Sequence, residues 1–178
     1  NGQLQKLKKQ FSATDKVMWM HCSSLGEFEQ GRPLLEEFRH RNPDYKILLS
    51  FFSPSGYEMR KNYNCADFVC YMPLDTWFNA HKFIKTVHPD IVFFVKYDLW
   101  YHHRHQAKKS GAKMYLISAV FNPKQAFFKW YGGFFRSMLC TFNRVFVQNN
   151  NSKLLLQSIN IKDIMIAGDT RVDRVIQI

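Results

Sequence analysis

The chain has 178 residues, the length of one ordinary domain, and 46% of them are hydrophobic and 16% aromatic, which excludes an intrinsically disordered polymer. Eight glycines and six prolines exclude a collagen-like or low-complexity chain. Twenty-five Lys and Arg against 14 Asp and Glu leave a net charge of +11, so an anionic partner is expected; nucleic acid, an anionic membrane surface and a phosphorylated substrate all satisfy that charge.

Residues 1–10 carry lysines with no apolar stretch behind them, so no secretory signal is read there. Lys16–Cys22 reads as a first strand, and Gly26–His40 as a helix burying Phe28, Leu34, Leu35 and Phe38. Lys46–Phe52 is a second strand whose near-continuous apolarity predicts cover on both faces, as in a parallel sheet. Ser53-Pro54-Ser55-Gly56 then opens a helix, with Pro54 in a first-turn position where its missing N–H costs little. Phe68–Met72 is the third strand, and Asp75 is expected to cap a helix running through Val87. Asp90–Val95 is the fourth strand, followed by a helix over Leu99–Ser110 that stops at Gly111. Lys113–Val120 is the fifth strand, and Pro123–Cys140 is a helical stretch broken at Gly132-Gly133. Arg144–Gln148, a short helix over Asn151–Ser158, and Ile164–Gly168 complete the pattern, with the start of another helix from Arg171. Strands alternating with helices predict an α/β fold, a Rossmann-like doubly wound parallel sheet of about seven strands. No apolar run, Ile91–Val95 included, approaches the ~18 residues of a membrane-spanning helix.

Cys22, Cys65, Cys70 and Cys140 are scattered and match neither a CxxC metal pair nor a dense disulfide framework. They read as reduced thiols, with Cys22 a small apolar filler at a strand end.

In an open parallel sheet, ligands bind outside the carboxyl ends of the strands. The loop after the first strand, Ser23-Ser24-Leu25-Gly26-Glu27, has one Gly in place of GxGxxG, and no acidic residue follows the second strand, which argues against dinucleotide binding. Glu27 at a helix N-terminus has two readings: a first-turn carboxylate favoured by the helix dipole, or a general base that takes a proton from a sugar hydroxyl at the mouth of a cleft.

His21-x-x-Ser24-Leu25-Gly26-Glu27, Gly31-Arg32-Pro33-Leu34, Ser53-Pro54-Ser55-Gly56, Tyr71-Met72-Pro73-Leu74-Asp75, Asp98-Leu99-Trp100, Ser118-Ala119, Phe146-Val147-Gln148 and Ala167-Gly168-Asp169-Thr170-Arg171-Val172-Asp173 recur in order along the chain. Together they resemble the N-terminal half of the 3-deoxy-D-manno-octulosonic acid (Kdo) transferases of lipopolysaccharide biosynthesis. The resemblance implies the first domain of a GT-B glycosyltransferase: residues 1–178 form an acceptor-binding domain for lipid A precursor, and the donor CMP-Kdo binds mainly a C-terminal domain absent from this chain. It implies an inverting enzyme at the cytoplasmic face of the bacterial inner membrane, held peripherally or by an upstream segment, with no cofactor, no metal and no nucleic acid. The fragment alone is expected to be inactive. Glu27 is the catalytic base implied, and the expected acceptor surface comprises Ser24, Gly26, Arg32, Ser53, Gly56, Lys96, Asp98 and Arg171.

The chain departs from the family's usual Glu-Thr-Glu-Leu-Trp-Pro with Lys96-Tyr97-Asp98-Leu99-Trp100-Tyr101, so nothing carries over from that first Glu. Lys96 suits either an acceptor phosphate or an ion pair with Asp98 or another carboxylate, and Arg171 either a phosphate or Asp169 or Asp173. His102 shares a helix face with Asp98 or His105, a spacing compatible with a metal, while a polar helix face is the ordinary account. The aromatic run Phe127, Phe128, Trp130, Tyr131, Phe134 and Phe135, interleaved with Lys124, Lys129 and Arg136, suits either core packing or contact with lipid. A basic module for nucleic acid or another polyanion is the alternative function, although no RNP, KH or helix-turn-helix signature supports it.

Overall fold

A computed structural model describes residues 2–96 and 99–168. In chain order the elements are α1 (Gly2–Gln10), β1 (Lys16–Cys22), α2 (Leu25–Arg41), β2 (Tyr45–Phe51), α3 (Pro54–Arg60), β3 (Phe68–Tyr71), α4 (Trp77–Val87), β4 (Ile91–Val95), α5 (Tyr101–Lys109), β5 (Lys113–Ala119), a 3-10 turn (Ala126–Phe128), α6 (Gly133–Leu139), β6 (Arg144–Val147), α7 (Asn150–Ser158) and β7 (Ile164–Ile166). The seven strands form one parallel sheet in the order β3-β2-β1-β4-β5-β6-β7. The expected Rossmann-like α/β fold is present, and the order reverses between β1 and β4, which makes their carboxyl ends the topological switch point, the place where ligands bind in open sheets of this kind.

Alternation along β1 distributes its side chains to two cores. Val17 and Trp19 join Leu48, Phe83, Phe94, Leu116 and Leu139 under α1, α4, α5 and α6, while Met18, Met20 and Cys22 join Phe28, Leu35, Leu49 and Phe51 under α2 and α3. Both faces are therefore covered, and that is why the central strands read as unbroken apolar runs. Each fully buried large apolar side chain, such as Phe28 or Leu48, contributes roughly 1.5–3 kcal/mol.

Helix α1, polar in sequence, forms because Leu7 is buried into the core while Gln3 and Gln10 bond to β3 and the residue before it: Gln3 Nε2 donates to Tyr71 O at 2.6 Å, Gln3 Oε1 accepts from Tyr71 N–H at 3.3 Å, and Gln10 Nε2 donates to Asp67 O at 3.3 Å. Three expectations change. Helix α4 is capped by Thr76, whose hydroxyl accepts from Asn79 N–H at 3.3 Å; Asp75 reaches across to α5 instead. Helix α5 starts at Tyr101, two residues later than expected. The stretch from Pro123 to Cys140 holds a 3-10 turn and the short α6, because Gly132 brings its backbone so close to Ala126 that a Cβ there would stand 2.0 Å from the Ala126 carbonyl. The helix expected from Arg171 lies outside the described residues.

Candidate active site at the sheet switch point

At the carboxyl end of β1 the chain turns into α2 through Ser23 and Ser24. Ser24, extended at φ −138°, is the N-cap, and its hydroxyl accepts from Glu27 N–H at 3.3 Å. Glu27 Oε2 in turn accepts from Ser23 N–H at 2.7 Å. This is a capping box shifted by one residue, since the carboxylate returns to the residue before the cap. The half-buried Glu27 is thus held at a helix N-terminus, where the dipole favours its charge, just beyond the carboxyl end of β1 at the switch point. The geometry accommodates both readings of Glu27, because a capping carboxylate fixed by backbone is also an oriented one. Burial chiefly, and then the negative charge of Glu27, push the Cys22 thiol up, so Cys22 stays a protonated filler. Ser23 O accepts from Ser53 N–H at 2.8 Å, which ties the loop after β1 to the loop after β2.

The other expected residues take different places. Ser24, Gly26 and Ser53 surround this turn; Gly26 is exposed, with nothing nearer to its would-be Cβ than Ser24 Oγ at 4.0 Å, so the backbone there is open to a ligand. Lys96 follows β4 directly, across the switch point, half-buried, with a left-handed φ of 62° and its N–H bonded to Ile117 O at 2.8 Å. A left-handed non-glycine residue is uncommon, and its presence after β4 marks a turn held by the neighbouring strand β5. Among the described residues Lys96 forms no ion pair. Arg32 lies five residues beyond Glu27, about 140° around the helix, in ion pairs with Glu29 at 3.3 Å and Glu36 at 3.9 Å. Gly56 is buried, and a Cβ there would stand 2.5 Å from the Phe51 ring, so it serves close helix-to-strand packing. Asp98 and Arg171 lie outside the described residues.

Sequence reasoning missed two groups beneath the site. His21 is fully buried, with Nδ1 2.9 Å from Ser50 Oγ and Nε2 3.2 Å from Ser23 Oγ. Burial, and then the nearby His103, push its pKa down to about 3, so the ring is neutral. The signal was a histidine and a serine facing each other in two otherwise apolar strands, paired in register. The second group is Asp75 with α5: its carboxylate accepts from His102 N–H at 3.0 Å, His103 N–H at 3.1 Å and His103 Nδ1 at 2.8 Å. Partial burial pushes that carboxyl up, but the hydrogen bonds from the His103 ring and the two N–H groups outweigh it and hold it below the usual range. His103 is committed to that contact, and among the described residues no cluster of three His, Cys, Asp or Glu side chains suited to a metal forms.

The aromatic run divides. Phe127 is buried against Phe121, with ring centroids 5.5 Å apart, whereas Trp130 is 92% exposed and Tyr131, Phe134 and Phe135 also face outward. Phe134 meets the exposed Tyr101 at 5.2 Å, and Leu74, Trp77 and Phe78 before and within α4 are exposed as well. Arg136 folds back onto Phe127 O and Lys129 O at 3.1 and 2.9 Å and staples the turn.

Residues 2–174 match the family model described as 3-deoxy-D-manno-octulosonic-acid transferase (kdotransferase). The chain is 28% identical over 172 residues to a 3-deoxy-D-manno-octulosonic acid transferase of Chlamydia muridarum, covering 92% of this chain and 39% of that protein. It is 30% identical over 110 residues to the one of Haemophilus influenzae, covering 61% of this chain and 26% of that protein. The chain therefore spans less than half the length of these curated relatives. Among solved structures, a UDP-GlcNAc 2-epimerase from Neisseria meningitidis, bound to UDP-GlcNAc, superposes with a TM-score of 0.64 at 15% identity, over 87% of this chain and 47% of that one. A UDP-GlcNAc 2-epimerase from Methanocaldococcus jannaschii does so with a TM-score of 0.60 at 13% identity, over 86% and 45%. These likenesses concern the fold.

Proposed function

The chain belongs to the 3-deoxy-D-manno-octulosonic-acid transferase family of glycosyltransferases, and on that premise we propose that residues 1–178 are the acceptor-binding part of an enzyme that transfers Kdo from CMP-Kdo to lipid A precursor. The observation that carries this reading is the Glu27 carboxylate held by Ser23 N–H at 2.7 Å at the carboxyl end of β1, beside the open backbone of Gly26. In the inverting step Glu27 accepts the proton of an acceptor hydroxyl, the freed oxygen forms a bond to the anomeric carbon of Kdo, and the bond from that carbon to the CMP phosphate breaks with its electron pair leaving on CMP. Lys96, across the switch point, supplies a cation for an acceptor phosphate. Arg32 and Gly56, engaged in ion pairs and packing, contribute by shaping α2 and α3 rather than by touching the acceptor.

The net charge of +11 together with the outward-facing Trp130, Tyr131 and Phe134 supports peripheral binding to an anionic membrane, the surface on which a lipid acceptor is presented. No helix among the described residues is long and apolar enough to cross a membrane. The cytoplasmic face of the inner membrane is the location this reading assigns, and the donor is assigned to chain outside these residues.

Glu27→Gln in the full-length enzyme tests the proposal. Turnover should fall at least ~10²-fold, since a general base contributes about that much. Near-normal turnover would remove Glu27 from the chemistry.

A further inference from the structure

Below the loop that carries Glu27, the transferase reading leaves three buried polar side chains without a role: Trp19, Ser50 and His21 are all fully buried in strands that are otherwise apolar. Buried polar groups keep partners, and here the partners form a chain. Trp19 Nε1 lies 2.8 Å from Ser50 Oγ, Ser50 Oγ 2.9 Å from His21 Nδ1, and His21 Nε2 3.2 Å from Ser23 Oγ.

The direction of this chain turns on where Ser50 sends its hydroxyl proton. An indole nitrogen only donates, so Ser50 Oγ accepts from Trp19 and has a single proton left to give. Two acceptors compete for it, His21 Nδ1 at 2.9 Å and Met72 Sδ at 3.9 Å. The imidazole lone pair is closer, and a thioether sulfur accepts only weakly. With Nδ1 accepting, a neutral His21 carries its proton on Nε2 and donates it to Ser23 Oγ. Ser23 is then fixed on three sides: Oγ receives from His21, its carbonyl receives from Ser53 N–H at 2.8 Å, and its own N–H donates to Glu27 Oε2 at 2.7 Å.

We propose that His21 is a positioning residue for Glu27, locked in the Nε2–H tautomer by Trp19 and Ser50 and acting through Ser23. The inference rests on the reading of Glu27 as the base. It gives the buried strand a task in the reaction: the orientation of the carboxylate is set from inside the sheet, through the hydroxyl proton that Ser50 gives to His21 Nδ1 in preference to the weakly accepting Met72 sulfur. The substrate never touches His21, so its effect falls on turnover more than on acceptor affinity.

Two measurements on the full-length enzyme test this. In protein labelled with ¹⁵N-histidine, the signal assigned to His21 should show the neutral Nε2–H pattern, unchanged between about pH 5 and 8 because the buried ring does not take up a proton there. An Nδ1–H pattern, or a ring that titrates in that range, overturns the proposal. In kinetics, Ser23→Ala, at a half-exposed loop position, should lower kcat about tenfold, the rate equivalent of one lost hydrogen bond, with KM within about twofold, and Ser23→Thr should restore kcat. Unchanged kcat in Ser23→Ala, a loss confined to KM, or failure of Ser23→Thr to rescue overturns it as well. The tautomer is read without turnover, so a fully active Glu27→Gln enzyme would defeat the base assignment while leaving the spectroscopic result to be judged by itself.

Discussion

Removing the Asp75 carboxylate should loosen the start of α5 and lower the stability of the domain by about 3 kcal/mol. Trp100 at the N-cap of that helix supplies no side-chain cap, and Asp75 does the work from another loop, accepting from His102 N–H and His103 N–H at 3.0 and 3.1 Å. Loss of such a cap costs ~1 kcal/mol. The same carboxylate accepts from Nδ1 of His103, a fully buried ring, at 2.8 Å, and losing a charged partner to a buried group costs roughly 1.5–3 kcal/mol. At about 2–4 °C per kcal/mol for a chain of this size, Asp75→Ala should melt roughly 6–12 °C lower by far-UV circular dichroism at neutral pH. Asp75→Asn, which keeps an acceptor oxygen and loses the charge, should fall between the two. Because the Asp75 pKa is depressed in the folded chain, its stabilisation is complete above the unfolded value near 4 and is lost as pH drops through the lower folded value, so the gap between wild type and Asp75→Ala should narrow in acid. A melting temperature for Asp75→Ala within about 2 °C of wild type at neutral pH would refute the assignment of Asp75 as the cap of α5.

His21 should make the domain acid-sensitive in a defined window: with its pKa lowered from 6.5 to about 3, the unfolded chain binds the extra proton below pH 6.5, so stability declines on acidification and at pH 5 is lower by about 2 kcal/mol. Urea midpoints at pH 7 and 5 measure this, and an equal decline in His21→Gln would exclude His21 as its source. Gly31→Ala should cost about 1–3 kcal/mol, because its Cβ would stand 2.9 Å from Met20 Sδ and 3.1 Å from Val95 Cγ2 in the packed interface of α2 with the sheet; an unshifted melting temperature would show that this interface yields. Gly26→Ala, in open space, should leave melting within about 2 °C while raising KM for the acceptor, and an unchanged KM would place the acceptor elsewhere. Vesicles containing anionic lipid should bind the protein more tightly than neutral ones, with salt weakening the difference; equal binding to both would set aside electrostatic attachment.

What was legible in the sequence was whatever depends on local pattern. Runs such as Lys16–Cys22 and Tyr45–Phe51 are apolar at nearly every position because both sheet faces are covered, and the turn residues after them, Ser24 and Ser53-Pro54, mark helix starts. The position of Glu27 in the first turn of α2, just after β1, followed from the strand-to-helix order alone. What was not legible depends on partners distant in sequence. Asp75 sits one residue before a good N-cap, so local rules assign it to α4, yet its partners are 27 and 28 residues away. Arg32 stands in a motif beside Gly31, but the helical turn carries it away from Glu27 and toward Glu29 and Glu36. The pairing of His21 with Ser50 needs the register of β1 against β2, which no single strand reveals. The aromatic run after Pro123 divided between core and surface because Gly132 forces the chain into a tight turn.

The side-chain amide of Gln3 presents β3 with one donor and one acceptor, the same two groups that a peptide unit of a neighbouring strand would present to Tyr71. Without it, the outer rim of the sheet would display unused backbone groups, and such a rim recruits strands from other molecules. Helix α1 therefore has two tasks: Leu7 adds a buried side chain to the core, and Gln3 insulates the rim at Tyr71. A chain without those nine residues would lose the buried Leu7, a cost of roughly 1.5–3 kcal/mol, and would bare the backbone of Tyr71, so copies joined edge to edge should become visible in light scattering.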